Sequence, residues 1–174
     1  PGEEGWAGAD KMIKDGLFDR YPCREVFAIH GAPSRPLGTI AVREGAMTAS
    51  VDIAYMTVEG RGGHGARPQE TIDPMPAAAE LILALQTIVA RNIKIEARFN
   101  EITRGIGTVF GGEVKLDYQR RYPPQINDPA LVRAILPALQ SVYGEAGVDT
   151  KFAPSMGGED FAFMSEKVPG VYMQ

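Results

Sequence analysis

One stretch constrains this chain more than any other, because its helical periodicity runs too long. Asp73 and Pro74 form an N-cap and first-turn signal, and Met75, Ala78, Ile82, Leu85 and Val89 keep helical spacing. Ile95, Phe99, Ile102, Ile106 and Val109 continue it, and between the two runs, at Ala90 to Lys94, there is no Gly, no Pro and no turn cluster. Taken literally, one helix runs from Pro74 to Phe110, about 55 Å at about 1.5 Å per residue. That length is out of place in a sequence that otherwise mixes strands and helices. Two helices joined directly would leave only two flanking strands, Val51 to Glu59 and Val114 to Tyr118, and an isolated two-stranded sheet is marginal. The expectation is a break at the Asn92-Ile93 junction, with a segment missing there.

The rest of the chain reads as ordinary globular protein, with 44% apolar residues and 8% aromatics. Eighteen Lys and Arg against 22 Asp and Glu give a net charge of −4. With no block of like charge, nucleic acid is not an expected partner. Cys23 is the single cysteine, which excludes an internal disulfide and a thiolate metal cluster, and fits a reducing cytoplasmic setting. No apolar run approaches the roughly 20 residues that span a bilayer, and the opening PGEEGWAGAD carries neither a basic start nor an apolar stretch. No membrane association is expected.

Around the helical run, a helix over Ala7 to Lys14 is expected to close at Gly16, with Glu3 and Glu4 at its entrance. Glu25 to Ile29 reads as a buried strand delivering His30, Thr39 to Arg43 as a second strand, and Val51 to Glu59 as a half-buried one. Asp128-Pro129 opens a further helix reaching Tyr143, with Pro137 as a kink and Gly144 as its stop. Pro154 to Asp160 is a loop, Phe161 to Ser165 a helical turn, and Gly170 to Gln174 the beginning of a strand.

Four places could carry chemistry. Glu3 and Glu4 are adjacent carboxylates: one could coordinate a divalent cation while the other takes a proton from the attacking water, or both could be solvated acids favoured by a helix dipole. His30 ends an apolar strand, where an imidazole projects toward a cleft or simply finds a hydrogen bond. His64, inside GRGGHG, is the one side chain of that loop able to shuttle protons or donate to an oxyanion. The same six residues fit the dinucleotide spacing G-x-G-x-x-G, but several residues intervene before a helix begins at Asp73 and no acidic residue ends a second strand at the expected offset, which disfavours a nucleotide-dependent oxidoreductase. In SMGGED, Gly157 and Gly158 could present amides to an anionic group, or Glu159 and Asp160 could cap the helical turn that follows, which is the favoured reading.

Taken together, PGEEGWAGADKMIKDGLF, VFAIHGAP, GTIAVREGAM, VEGRGGHGARPQETIDP, YPPQIND and SMGGEDFAF closely resemble one family. It comprises the metal-dependent amidohydrolases that include hippurate hydrolase, N-acyl-amino-acid aminoacylases, related carboxypeptidases and plant indole-acetyl-amino-acid hydrolases. The resemblance implies an α/β fold: a zinc-exopeptidase-like catalytic domain, split over residues 1–47 and 122–174, with an inserted α+β, ferredoxin-like lid or dimerisation domain over 48–121. It implies Glu3 as general base, Glu4 and His30 as metal ligands, and His64 as a group reaching a partner subunit's active site to polarise the scissile carbonyl. Gly157, Gly158 and Glu159 fall on the substrate side. Two divalent metal ions are implied, zinc, manganese, cobalt or nickel, with an N-acyl amino acid or short peptide as substrate and a homodimer formed through the lid. Family ligands before the Glu pair and after Gln174, and the lid's middle strands near 92–93, have no counterpart, so the 174 residues are expected to be part of a longer protein and inactive by themselves. The alternative is a degenerate member without metals, a non-catalytic dimerisation and binding module of the same fold.

Overall fold

The computed structural model describes residues 7–91 and 95–174, which fall into two compact units. Unit 1 joins Pro1–Asp52 with Arg120–Gln174, and unit 2 is the contiguous stretch Ile53–Gln119. Glu3, Glu4 and the Asn92-Ile93 junction lie outside the described residues.

Strand pairing is nested. In unit 1, β1 (Val26–Ile29) pairs in parallel with β8 (Gly170–Met173), placing Val26 opposite Gly170 and Ile29 opposite Met173. Inside that pair, β2 (Ile40–Ala41) runs parallel to β7 (Val148–Asp149), and β3 (Gly45–Ala46) runs antiparallel to β6 (Ile126–Asn127). The innermost pair is β4 (Val51–Glu59) with β5 (Glu113–Tyr122). Each step inward along the first third of the chain therefore meets a step backward along the last third.

Unit 1 has two apolar cores. Ile40, Val42, Val171 and Met173 pack against Val132 and Leu139 of α5 (Pro129–Tyr143), while Met47, Phe161 and Tyr172 form a second cluster beside Val26, Ala28 and Phe152. The start of α5 follows from its sequence: Asp128 accepts from the N–H groups of Ala130 (2.8 Å) and Leu131 (2.9 Å), Pro129 takes the first helical position, and Gly144 ends the helix. The helix runs on through Pro137. Between the cores lies a buried polar knot. Asn127 donates through Nδ2 to the carbonyls of Arg43 and Tyr172, while its Oδ1 accepts from Tyr172 N–H (2.8 Å) and Gln125 Nε2 (3.1 Å). Both amides are fully buried, and this satisfaction is what makes their burial tolerable. Asp149 accepts from Arg35 at 2.9 Å, and that bond holds its carboxyl below the usual carboxylate range.

In unit 2, α3 (Pro74–Arg91) and α4 (Ile95–Phe110) pack against each other. Leu81, Ile88 and Ile102 form their shared core with Met56 and Val58 of β4 and Val114 of β5. One straight helix from Pro74 to Phe110 could not make those contacts. Asp73 Oδ1 accepts from Met75 N–H at 2.9 Å, as the N-cap reading requires. Across the strand pair Lys115 donates to Glu59 at 2.8 Å, and this hydrogen bond raises the lysine pKa above its ordinary value.

Two strands differ in extent from the sequence reading by more than one residue at an end. The strand expected over Thr39 to Arg43 shrinks to Ile40–Ala41, and the one expected over Val114 to Tyr118 extends to Glu113–Tyr122. In the second case Gln119, Arg120 and Arg121 look like the end of an apolar pattern, yet the pairing continues through them. Two short helices, α1 (Gly8–Lys14) and α2 (Leu17–Arg20), lead into β1, and α6 (Phe161–Ser165) precedes β8. No helix among the described residues is long and apolar enough to cross a membrane.

Candidate active site

The two histidines lie in different units and are set in opposite tautomers. His30 follows β1, and its backbone N–H donates to Met173 O at 2.9 Å, so the residue is fixed by the β1–β8 pairing. Its Nδ1 lies 2.8 Å from the carbonyl oxygen of Gly31. A carbonyl only accepts, so Nδ1 carries the hydrogen and, in the neutral ring, the lone pair sits on Nε2. That is the arrangement a metal-ligating imidazole takes, with a backbone carbonyl fixing the ring from behind. Tyr172 flanks the ring with centroids 6.3 Å apart.

His64 occupies a loop of unit 2 that is closed at its base. Arg61 and Ile72 exchange both backbone hydrogen bonds at 2.9 Å, making residues 62–71 a compact loop with joined ends. Arg61 Nε donates to Glu70 O, Arg67 N–H to His64 O, and Thr71 Oγ1 to Pro68 O. A side chain at Gly60 would collide with the carbonyl of Ile72, so this glycine serves the loop's own closure. Gly65 leads into a turn and the short 3-10 helix Pro68–Glu70, as the objection to a dinucleotide site anticipated. The ring of His64 is exposed, and its Nδ1 accepts from Ala66 N–H at 3.2 Å. Nδ1 therefore holds the lone pair, and the neutral ring presents Nε2–H outward as a donor.

The SMGGED turn belongs to unit 1 with His30. Gly157 N–H donates to Ser155 Oγ at 3.1 Å, and Gly158 packs so tightly on Val51 and Tyr122 that a side chain there would collide with Val51. Glu159, 5% exposed, accepts from Phe161 N–H at 3.1 Å and so caps α6. Asp160 does not cap α6. Its Oδ2 accepts instead from Ala9 N–H at 2.8 Å, in the first turn of a helix 151 residues earlier in the chain. Nothing in the local pattern signals that partner. The Gln125–Asn127 knot has no periodic signal either; its one mark in the sequence is two amides just after the Pro123-Pro124 pair.

Among the described residues, unit 1 thus contains His30, Gly157, Gly158 and Glu159, and unit 2 contains His64. The donor chemistry of His30 fits one nitrogen ligand to a metal. Among the described residues no group of three or more His, Cys, Asp or Glu side chains is placed to hold an ion.

An α/β chain with nested strand pairs and a ligand-type histidine at a strand end points to the hydrolases that the resemblance suggested. The chain belongs to peptidase family M20/M25/M40, which matches it over residues 1–174. It is 33% identical to the N-acetyldiaminopimelate deacetylase of Exiguobacterium sibiricum, over 98% of this chain and 56% of that protein. It is 30% identical to the hippurate hydrolase of Campylobacter jejuni, over 95% of the chain and 54% of that protein. Among solved structures, a dinuclear metal-binding peptidase of the M20 family from Bacillus subtilis superposes with a TM-score of 0.72 at 28% identity, covering 99% of this chain and 53% of its own. The chain spans about half the length of the curated relatives it matches. The first of these matches runs over 212 residues, 38 more than the 174 of this chain, so at least that many have no counterpart here.

Proposed function

We propose that this chain is part of a metal-dependent amidohydrolase that cleaves the amide bond of N-acyl amino acids. The observation that carries the reading is the opposed setting of the two histidines: His30 turns Nδ1–H onto the Gly31 carbonyl, which puts the lone pair of the neutral ring on Nε2, and His64 turns Nδ1 onto the Ala66 N–H, which makes Nε2–H its donor. Relatives named as a deacetylase of N-acetyldiaminopimelate and a hippurate hydrolase support the substrate class.

In this reading Glu4 and His30 hold metal, which when bound supplies Lewis acidity and a lowered water pKa. Glu3 takes the proton of the attacking water and passes it to the leaving nitrogen. His64 donates from Nε2 to the oxygen that becomes negative, and Gly157, Gly158 and Glu159 shape the substrate side. Unit 2 acts as the lid and as the dimerisation surface, and its His64 serves the partner subunit's site. The 38-residue shortfall is assigned to the lid at the Asn92-Ile93 junction. In the full-length protein, Glu3→Gln should retain fold and metal while turnover of an N-acyl amino acid falls by about 10²–10⁴, the usual worth of a general base. Near-normal turnover would reassign the base, and loss of metal would exchange the roles of Glu3 and Glu4.

A further inference from the structure

We infer that Asn127 is a positioning residue for His30, tying its strand to the segment from which the Gly157–Glu159 turn hangs, a role that rests on the function proposed above. The carboxamide is 0% exposed and uses its whole bonding capacity. Its Nδ2 donates to Arg43 O at 3.0 Å and to Tyr172 O at 2.9 Å, and its Oδ1 accepts from Tyr172 N–H at 2.8 Å and from Gln125 Nε2 at 3.1 Å. Tyr172 is thus held through both of its backbone groups, as a residue of a neighbouring antiparallel strand would hold it. At this point of β8 a side chain takes the place of a strand.

From Tyr172 the hold reaches His30 by two short routes. Met173 O accepts from His30 N–H at 2.9 Å, and the Tyr172 ring flanks the imidazole with centroids 6.3 Å apart. In the other direction the same segment carries the turn. Gln125 O accepts from Met47 N–H at 2.8 Å, Met47 O accepts from Ser155 N–H at 2.9 Å, and Ser155 O accepts from Ala49 N–H at 3.0 Å. Ser165 Oγ, in the helix that follows the turn, donates to Gln125 Oε1 at 3.1 Å. Stability alone does not call for such a knot, because apolar packing of the same shape would serve about as well. A fully satisfied buried network does something further: it rigidifies and selects one packing. A ligand needs that, since a working site holds its groups to within about 0.5 Å. Asn127 touches neither metal nor substrate for this.

The test uses the full-length protein and zinc as the probe metal, with Asn127→Ala, Asn127→Asp, Val148→Ala and His30→Ala. Two quantities are read: the zinc Kd, by competition with a chelator, and the imidazole nitrogen resonances of His30 in the metal-free protein, assigned through His30→Ala. Asn127→Ala should weaken zinc by about 10–100-fold, the range for partners that orient a ligand, and should shift the His30 resonances. Val148→Ala trims the same unit's core on β7, outside the knot, and should leave both at wild-type values. A folded Asn127→Ala with wild-type zinc affinity and unmoved His30 resonances overturns the proposal. An equal change in Val148→Ala also overturns it, because the effect would then be general loosening. Should Asn127→Ala not fold, Asn127→Asp decides, since it gives up both donated bonds: weakened zinc and shifted resonances support the role, and wild-type values overturn it. If His30→Ala binds zinc as tightly as wild type, His30 is no ligand and the metal reading fails. The His30 resonances alone then decide whether Asn127 holds this ring.

Discussion

Unit 1 is assembled from the two ends of the chain and unit 2 from its middle, and each holds its histidine accordingly. His30 is set by a parallel strand pair whose second member lies more than a hundred residues away, so the ring inherits the rigidity of a core in which Val42 and Val171 are completely buried. His64 is set by a loop whose hydrogen bonds, among the described residues, close within residues 61–72. The difference teaches what each of the proposed roles would tolerate. A metal ligand has to hold its position against several others, which a core-anchored strand end provides. A donor to a transient oxyanion can ride on a local loop if the loop fixes its tautomer.

The comparison breaks most visibly at the histidines themselves. In the full-length protein, His30→Ala should lose bound metal, read by elemental analysis, together with activity. His64→Ala should keep its metal and lose about 10²–10³ in kcat, the cost of one oxyanion donor. Mixing inactive His64→Ala with inactive Glu3→Gln should restore some turnover if His64 works across a dimer, because one heterodimeric site would hold both intact groups. With subunit exchange verified, a mixture that stays inactive confines His64 to its own chain. Equal metal loss in both histidine variants would erase the distinction between the units.

Stability sharpens the same contrast. Leu81→Ala in unit 2 removes a buried side chain from a core of helix and strand residues and should cost about 2–5 kcal/mol in urea denaturation. Asn127→Ala in unit 1 costs by a different route, since it removes the bonds that Asn127 makes with Tyr172 N–H, Gln125 Nε2 and the carbonyls of Arg43 and Tyr172, at about 1–3 kcal/mol for each group stranded. Asn127→Asp keeps an acceptor for Tyr172 N–H but gives up the two donated bonds, so its loss should come chiefly from the stranded carbonyls. If all three variants stay within a few tenths of wild type, the cores described here are not what stabilises the units.

The elements that the sequence announced are those whose causes are local. Val51–Glu59 alternates, Asp128-Pro129 and Gly144 bracket α5, and the spacing on either side of residue 92 marks two helices that pack together. What it concealed are contacts without a period. β3, β6 and β7 have two residues each, too few to show an alternation, and exist because the opposite end of the chain supplies their partners. Asp160 reads as a cap for the helix beside it, yet its carboxylate serves a helix at the other end. Of the site, the residue types were visible, and their roles came from resemblance. The tautomers were not visible, because each depends on how a ring meets one nearby carbonyl or amide.

The smallest effect concerns the pair that joins the β2–β7 layer to the loop before it. Arg35 donates to Asp149 at 2.9 Å while its guanidinium also lies over the Phe152 ring, 5.3 Å from the centroid. Asp149→Asn is the cleaner change, because an amide oxygen can still accept from Lys151 N–H and the Arg35–Phe152 stack is left in place. The arginine bond holds the Asp149 carboxyl below its ordinary value of 3.8, so the folded state binds this proton less readily than the unfolded state. By linkage, the pair contributes its full stability above the ordinary carboxylate value and loses it as the pH falls through the depressed one. With the Asp149 side chain 41% exposed, solvent screening keeps the contribution within about 0.2–1 kcal/mol. Urea denaturation should therefore show Asp149→Asn less stable than wild type at pH 7. The gap should narrow in molar salt and close once the pH lies below the depressed carboxyl value. A gap that persists there, or that is indifferent to salt, would mean that Asp149 supports the β2–β7 layer through Lys151 N–H and packing, with its charge contributing nothing.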